Sequence, residues 1–296
     1  MIGTFYRKKC NTDGKTSWGK IVPKYVDCNL CGLNNTDTVQ KAEDPFKVVR
    51  CKECGLVYTN PQPDRKSIDN HYQEEYYKEW IEKQMEKRIH MWEKRLRELK
   101  EYKKEGCLLD VGCGVGTFLK LAKKEGFEIS GTEISEYACT YVKNRLKINI
   151  FSGDLEEAHF PPESFDIVTI WHTLEHLPNP LAALKEIHRI LKKGGLLVVA
   201  VPNLNNYIVR ILYLLAKGKR LLFFSGQAKE WHLYHFSSKT LMSMLKKAGF
   251  KIIKSDMDIA QITLVKKMIT FLTYIFYLIS KKNFGEAIKI YASKAQ

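Results

Sequence analysis

The sequence contains no run of eighteen apolar residues free of charge, and its start, MIGTFYRKKC, lacks the apolar stretch of a secretory signal peptide. The sequence therefore indicates no membrane span and no secretory leader, and we expect an intracellular, cytoplasmic protein. Acidic residues are scarce, because 33 Asp and Glu accompany 48 Lys and Arg, for a net charge of +15. This charge suits a polyanionic or membrane-surface partner, although a lysine-rich solvated surface gives the same value.

Paired cysteines occur in only one segment of the chain. Cys28 and Cys31 in CNLC, then Cys51 and Cys54 in CKEC, form two CxxC pairs separated by nineteen residues. This spacing predicts a four-thiolate zinc ribbon, with a structural ion because four thiolates leave no open position. A redox site would need only one CxxC, and disulfides would conflict with a reducing compartment.

The pattern of residues divides the chain into four parts. Residues 1–24 form a polar lead-in, 25–63 the ribbon, and 64–105 a connector without glycine or proline whose apolar stripe predicts one or two helices. From 106 to 296, short apolar runs alternate with helical patterns. This alternation predicts an α/β fold, a Rossmann-like, seven-stranded, mostly parallel sheet covered by helices.

A glycine-rich turn follows the first strand of this sheet in LLDVGCGVGTF, residues 108–118. Gly112, Gly114 and Gly116 alternate where a dinucleotide fingerprint needs a different spacing. Asp110 stands just before them, where a carboxylate would repel a pyrophosphate but attract an ammonium or sulfonium group. The turn therefore predicts a cationic nucleoside as the ligand.

Two further acids follow the next two predicted strands. Glu133 ends the second strand, where a carboxylate accepts hydrogen bonds from both hydroxyls of a ribose. Asp154 follows the third strand, where it would accept a hydrogen bond from an adenine amino group. Each acid alone is a weak signal, but together with Asp110 they indicate one nucleoside site.

Residues 106–203 resemble the core of the class I S-adenosylmethionine-dependent methyltransferases. The resemblance lies in LLDVGCGVGTF, SGTEIS, FSGDLEE, FDIVTIWHTLEHL and LKKGGLLVVAVPN. It implies a methyltransferase with S-adenosylmethionine as its cofactor. The cofactor-binding residues that it implies run from the methionine end through the ribose to the adenine: Asp110, Gly112, Gly114, Gly116, Glu133, Ile134, Asp154, Leu155 and Trp171.

The stretch WHTLEHLPNP supplies candidate catalytic residues at the carboxyl end of the fourth strand. These are His172, Glu175 and His176, and His176 is the candidate general base because its pKa lies near neutral pH. The same Glu-His pair could instead only fix the loop beneath the substrate. His232 and His235 in EWHLYHFSS are predicted to bind the substrate, or to be buried against the backbone.

A metal site built from these histidines and Glu175 is a further alternative. It resembles the magnesium site of the small-RNA terminal methyltransferases, which carry a similar Glu-His motif. Those enzymes have a glutamate where this sequence has His172, so the match is incomplete.

Two inserts, 204–230 and 259–284, are apolar and basic. Their central stretches, NLNNYIVRILYLLAKGKRLLFFSGQAK and AQITLVKKMITFLTYIFYLISKKNF, contain no Asp or Glu. Both leave the carboxyl edge of the sheet, so we expect a buried lid or a surface that contacts anionic lipid. Either arrangement favours an apolar or lipid-linked acceptor.

The predicted function is methyl transfer to a small-molecule, glycan or lipid-linked acceptor, with peripheral contact on the inner face of the membrane. The Glu-His-Leu motif resembles the ubiquinone O-methyltransferase branch, and the ribbon resembles those of methyltransferases in bacterial polysaccharide and deoxysugar pathways. The alternatives are an RNA methyltransferase that uses the ribbon to bind nucleic acid, and an inactive ligand-binding or scaffold protein.

Overall fold

The fold combines a central sheet covered by helices with a smaller sheet that contains the paired cysteines. The computed structural model describes residues 21–72, 76–78, 88–258, 273–274, 277 and 283–295. The described strands are β1 (Pro23–Lys24), β2 (Thr36–Lys41), β3 (Lys47–Cys51), β4 (Val57–Thr59), β5 (Gln62–Pro63), β6 (Cys107–Val111), β7 (Glu128–Glu133), β8 (Phe151–Ser152), β9 (Phe165–Trp171), β10 (Leu191–Pro202), β11 (Tyr234–His235), β12 (Phe250–Asp258) and β13 (Ala287–Lys294).

The helices begin where side chains cap the free backbone amides. Asp64, Asn179 and Ser237 each accept a hydrogen bond from a first-turn N–H, and Pro180 opens its helix without needing a donor. The described α-helices are α1 (Arg65–His71), α2 (Ile89–Lys100), α3 (Thr117–Lys124), α4 (Glu136–Tyr141), α5 (Pro180–Ile190), α6 (Tyr207–Lys217) and α7 (Ser238–Lys247).

A seven-stranded sheet forms the centre of the molecule, in the order β12-β13-β10-β9-β6-β7-β8. The pairs from β10 to β8 are parallel, and β13 is antiparallel to both of its neighbours. Asp110 of β6 lies opposite Gly131 of β7 and Thr169 of β9. The predicted Rossmann-like, mostly parallel sheet is confirmed, and its topology places the predicted acids at one edge.

Two apolar layers cover the faces of this sheet. On one face, Leu184 and Ile187 of α5 and Leu241 of α7 are buried together with the ribbon. On the other face, Leu99 of α2 and Phe118 of α3 are buried. Each such side chain contributes about 1.5 to 3 kcal/mol on burial, which explains why both helical stripes face the sheet.

The cysteine-containing segment forms a separate four-stranded sheet, in the order β11-β4-β3-β2. Its edge strand β11 comes from much later in the chain, and Tyr234 lies opposite Tyr58 while His235 lies opposite Val57. Lys247 of α7 also donates to the Leu30 carbonyl oxygen at 2.6 Å. The sequence analysis did not predict this pairing, which attaches the ribbon to the segment that contains the second histidine pair.

Several boundaries differ from the prediction for local reasons. The sequence pattern predicts one helix over 135–145, whereas in the structure α4 ends at Tyr141 and a π-helical turn follows at Val142–Leu146. Strand β8 is only two residues long. Gly194 and Gly195 lie in an irregular start of β10 rather than after the preceding helix. Glycine here permits the positive φ of +67° at Gly194 without steric cost.

Some predictions concern residues outside the described ranges. Residues 1–20 of the lead-in, 79–87 of the connector and most of the 259–284 insert fall there. Of the connector, the structure describes α1, residues 76–78 and α2. Among the helices in the described ranges, none is long and apolar enough to cross a membrane.

Candidate active site

The glycine-rich loop connects β6 to α3 at the carboxyl edge of the sheet. Gly112 has a φ of +68°, and a Cβ atom there would lie 2.4 Å from the Thr173 side chain, so only glycine fits. Its N–H donates to the Thr132 carbonyl oxygen at 2.9 Å. Gly114 and Gly116 also have positive φ angles. Because the loop is made of glycines at the start of a helix, it presents backbone N–H groups, and not side chains, to a ligand.

Asp110 lies two residues before this loop and is only 3% exposed. Its Oδ1 accepts a hydrogen bond from the Thr169 hydroxyl at 2.7 Å. Burial raises the pKa of Asp110 to about 7, against the opposing effects of Thr169 and Arg95. A positively charged ligand next to this carboxyl group would favour its ionised form.

Glu133 ends β7 and directs its carboxylate toward the loop. Oε2 accepts from the Gly114 N–H at 2.9 Å, and Oε1 accepts from the Ser135 N–H at 3.0 Å. The Tyr77 hydroxyl donates to the same carboxylate. Burial raises the pKa of Glu133, while these hydrogen bonds act in the opposite direction. The structure thus brings the second predicted acid into direct contact with the glycine loop.

The residues predicted to bind the adenine are one ion-paired carboxylate and two apolar side chains. Asp154 lies at the same edge, because the Gly153 N–H donates to the Glu133 carbonyl oxygen at 2.9 Å. Its carboxylate forms an ion pair with Arg65 of α1. Leu155 is buried in the core, and Ile134 is partly buried against the same core. The Asp154 carboxylate, which is predicted to bind the adenine amino group, is therefore paired with Arg65 in this structure.

Trp171 ends β9, but its ring belongs to an aromatic cluster in the core. The ring lies 5.5 Å from the Phe118 ring, and the Arg95 guanidinium carbon lies 4.7 Å from its centre. Arg95 is buried and forms an ion pair with Asp258. The structure shows the Trp171 ring packed against the Arg95 guanidinium group. A contact between Trp171 and the cofactor stays a prediction.

His172 follows β9 in the left-handed region, with a φ of +51°. Its N–H donates to the Ala200 carbonyl oxygen at 2.8 Å, and its Nε2 lies 3.1 Å from Arg95 and 3.4 Å from Asp258. Burial lowers the pKa of His172, but Asp258 and Glu175 reverse this effect and raise it above its usual value. His172 is therefore a half-buried side chain that contacts the buried ion pair between Arg95 of α2 and Asp258 of β12.

Glu175 and His176 lie in a short 3₁₀ turn, Leu174–His176, beyond the same strand. Glu175 is 1% exposed, and neither of its carboxylate oxygens has a hydrogen-bond partner among the described residues. His172 Nδ1 and His176 Nε2 lie 3.7 Å and 3.9 Å from Oε1. Burial raises the pKa of Glu175, and the facing imidazoles more than reverse this, so it lies below its usual value.

The Nδ1 atom of His176 lies 2.8 Å from the Trp231 carbonyl oxygen and 2.8 Å from the Tyr72 hydroxyl. A carbonyl oxygen only accepts, so this contact requires a proton on Nδ1. The Nε2 atom then presents its lone pair on the side of Glu175. Burial lowers the pKa of His176 below its usual value, against the opposing effect of Glu175.

His232 completes this cluster from the segment that precedes β11. The Leu233 N–H donates to the Glu175 carbonyl oxygen at 2.8 Å, and the Thr59 hydroxyl donates to the His232 carbonyl oxygen at 3.2 Å. The His232 and His176 rings are 4.9 Å apart. His235, the other residue predicted to bind substrate, is buried 5.0 Å from the Phe223 ring. The structure therefore brings His232, but not His235, into the Glu175 cluster.

Sequence reasoning missed the residues that hold the candidate catalytic side chains in place. Tyr72 and Tyr77 belong to the connector, and Arg95 and Asp258 form the ion pair behind His172. Only Arg95 left a signal in the sequence, because it is a charge within the apolar stripe of α2. A charge on a buried helical face requires a partner of opposite sign.

The four cysteines of the two CxxC pairs converge at the end of the ribbon. The Sγ atoms of Cys28 and Cys54 lie 3.4 Å apart, as do those of Cys31 and Cys51, and all four lie within 4.8 Å of one another. These distances exclude disulfides and are close to the spacing of thiolates around one tetrahedral ion, about 3.8 Å. This four-cysteine cluster thus fits a zinc ribbon.

A model of the family described as "Methyltransferase domain" matches residues 74–255. The chain belongs to this methyltransferase family. With the seven-stranded sheet and its glycine loop, this membership makes the protein an S-adenosylmethionine-dependent class I methyltransferase.

A relative of this methyltransferase is the demethylmenaquinone methyltransferase of Staphylococcus aureus strain Newman. The two are 31% identical over 178 residues, which cover 54% of this chain and 74% of the relative. The match supports the same class of reaction.

Two solved structures share the fold of the methyltransferase. One is a chain in the complex between the Haloferax volcanii Trm112 methyltransferase activator and a methyltransferase. It has a TM-score of 0.55 at 16% identity, and the match covers 75% of this chain and 98% of that chain. The Haemonchus contortus phosphoethanolamine N-methyltransferase 2 has a TM-score of 0.53 at 17% identity, covering 81% and 63%. At these identities the likeness concerns the fold alone.

The pKa of Asp110 predicts that binding of the methyl donor depends on pH. A pKa of about 7 in the free protein implies that S-adenosylmethionine binds about tenfold more tightly at pH 8 than at pH 6, because only the ionised carboxylate attracts the sulfonium. S-adenosylhomocysteine has no charge on sulfur and serves as the control. Calorimetric titration with both ligands measures the difference, and equal pH dependence for both would contradict this role of Asp110.

Proposed function

We propose that this methyltransferase transfers the methyl group of S-adenosylmethionine to a small apolar or lipid-linked acceptor at the surface of a membrane. The observation that carries the proposal is the adjacency of two sites at one edge of the sheet. Asp110, Gly112 and Glu133 form the donor side, and Glu175 with His176 forms the other. Gly112 contacts Thr173, which leads directly into the Glu175 turn, so the two sites adjoin.

On the donor side, each residue has a role that follows from its chemistry. Asp110 attracts the positive sulfur end, and the loop amides approach the methionine. Glu133 accepts from the ribose hydroxyls in place of the Tyr77 hydroxyl that it binds now. Since the sulfonium is already an activated donor, the protein mainly aligns the acceptor and excludes water.

On the acceptor side, we assign the activating contact to the Nε2 lone pair of His176. The Trp231 carbonyl oxygen fixes the ring, and Glu175 lies 3.9 Å from this nitrogen. His172 supports Glu175 from the other side and contacts Asp258. An acceptor that reaches Nε2 also lies close to the methyl donor.

The 204–230 insert supports an acceptor in or near a membrane. In α6, the side chains of Ile211 and Leu215 are 56% and 76% exposed, and Leu222 just beyond the helix is 48% exposed. Arg210, Lys217 and other basic residues accompany them, and the stretch 203–229 contains no acid. An apolar ridge with a basic border complements an anionic bilayer, where each basic residue contributes about 1 kcal/mol.

The named activity of the Staphylococcus aureus relative agrees with this acceptor class, because its name describes an apolar quinone. Here the acceptor class also includes lipid-linked glycans, as the resemblance of the ribbon suggests. The protein would then act on the inner face of the membrane as a peripheral enzyme. Its parts would be the ribbon at 25–63, the connector at 64–105 and the methyltransferase domain at 106–296.

Methyl transfer from labelled S-adenosylmethionine tests the function. The protein should label the organic-solvent fraction of a bacterial lipid and quinone extract, and bulk RNA should stay unlabelled. His176→Ala should reduce kcat on the order of 10²-fold, because it removes the contact that activates the acceptor. His90→Ala is the matched control, since His90 is an exposed histidine of α2. Labelling of RNA in place of the extract would reverse the assignment of the acceptor.

Flotation with vesicles tests the membrane contact separately. The protein should float with vesicles that contain anionic lipid and lose most of this binding in Leu215→Asp, because a charge on the apolar ridge prevents its insertion. Leu33→Asp is the matched control, since Leu33 is an exposed leucine of the ribbon, 52% accessible. Equal loss in both variants, or no flotation of the unmodified protein, would refute the contact.

We also propose that the four-cysteine cluster binds one structural Zn²⁺. Cys28 and Cys51 are buried, and paired thiolates without a cation would repel each other. Metal analysis should find tightly bound zinc, and Cys51→Ser should contain one equivalent less, with a drop in Tm of several degrees. Cys107→Ser is the control, because Cys107 lies in β6 outside the cluster. Full zinc content in Cys51→Ser would contradict the assignment.

A further inference from the structure

The Glu175 cluster has a second property that methyl transfer alone does not require. The ligating atoms of Glu175, His176 and His232 lie within 4.8 Å of one another. Two protein ligands of one divalent ion lie about 3 to 4.2 Å apart when each metal bond is about 2.1 Å. The three side chains thus need to move by only about half an ångström to bind one ion.

The buried carboxylate of Glu175 independently indicates a cation. The residue is 1% exposed, and both oxygens have no hydrogen-bond partner among the described residues. The imidazoles of His172 and His176 lie at 3.7 Å and 3.9 Å, which is too far for hydrogen bonds. A buried carboxylate with unfilled oxygens is costly unless a cation fills that space.

The tautomer of His176 fits the same interpretation. Its Nδ1 donates to the Trp231 carbonyl oxygen at 2.8 Å, so the Nε2 lone pair lies toward Glu175. A metal-ligating histidine commonly donates its other N–H to a carbonyl in this way, which fixes the ring. The lone pair and the carboxylate would face each other unfavourably without a positive charge between them.

The ribbon holds the backbone of the third residue, His232, whose Nε2 also lies 3.8 Å from Oε2 of Glu230. Thr59 of β4 donates its N–H to the Leu233 carbonyl oxygen at 2.8 Å and its hydroxyl to the His232 carbonyl oxygen at 3.2 Å. The backbone of Glu175 accepts from the Leu233 N–H at 2.8 Å. The backbones on both sides of the cluster are therefore hydrogen-bonded to each other and to the ribbon.

We propose that Glu175, His176 and His232 bind one divalent transition-metal ion, separate from the four-cysteine cluster. Two imidazoles and one carboxylate suit such ions, and three protein ligands leave open positions for an oxygen of the acceptor. The site rests on the proposed function and gives its His176 contact a specific form, in which Nε2 binds the ion. The acceptor would then carry a hydroxyl or enol oxygen that coordinates the metal.

Binding of Mn²⁺, followed by its electron paramagnetic resonance signal, tests this site in protein that carries a single equivalent of zinc, which the four thiolates of the ribbon retain. Mn²⁺ prefers oxygen and nitrogen to thiolate ligands, so it leaves the four-cysteine cluster undisturbed. One equivalent should bind saturably. Glu175→Gln and His232→Ala should each weaken binding at least about tenfold, because each removes one of three ligands, and the exposed-histidine control His90→Ala should leave it unchanged. Absence of a saturable site, or unchanged binding in both cluster variants, would overturn the proposal.

A measurement on the unmodified protein guards against misfolded variants. Added Mn²⁺ should broaden the imidazole proton signals of His176 and His232 in nuclear magnetic resonance spectra and spare those of His90. Broadening of His90 alone would count against the site. Neither experiment uses the methyl donor or an acceptor, so failure of the metal site leaves the proposed function standing, and methylation assays test that function independently.

Discussion

The pairing of β11 with β4 is the constraint on which the candidate active site depends. Only Tyr234 and His235 take part on one side, opposite Tyr58 and Val57, yet this contact attaches the ribbon to the methyltransferase fold. The residue just before the pairing, Leu233, hydrogen-bonds both Thr59 and Glu175. Through Leu233, the ribbon is therefore hydrogen-bonded to the segment that carries His232, and this segment is hydrogen-bonded to the Glu175 turn.

The positions of Asp110, the glycine loop and Glu133 at one edge of the sheet could be predicted from the sequence because their determinants are local. The sequence pattern predicts a strand over 107–111 and a helix over 117–124, and β6 and α3 have these bounds. Parallel pairing then brings the ends of neighbouring strands together. A positive φ at Gly112 and a carboxylate at Glu133 are consequences of single residues in known positions. Such local features can be predicted from the sequence pattern alone.

The acceptor side could not be predicted in the same way because it is assembled from distant segments. His232 meets Glu175 only through backbone hydrogen bonds between segments far apart in the sequence, and Arg95 reaches Asp258 across the sheet. The sequence named the histidines of both segments but not their arrangement, so it grouped His235 with His232. In the structure, His235 is buried beside Phe223, and its ring lies 6.3 Å from that of His232.

The contact between Tyr77 and Glu133 has a consequence for binding of the cofactor. If Glu133 binds a ribose as proposed, the sugar hydroxyls would compete with the Tyr77 hydroxyl for the same carboxylate. Tyr77 belongs to the connector, so binding of the cofactor would then replace one contact between the connector and the sheet.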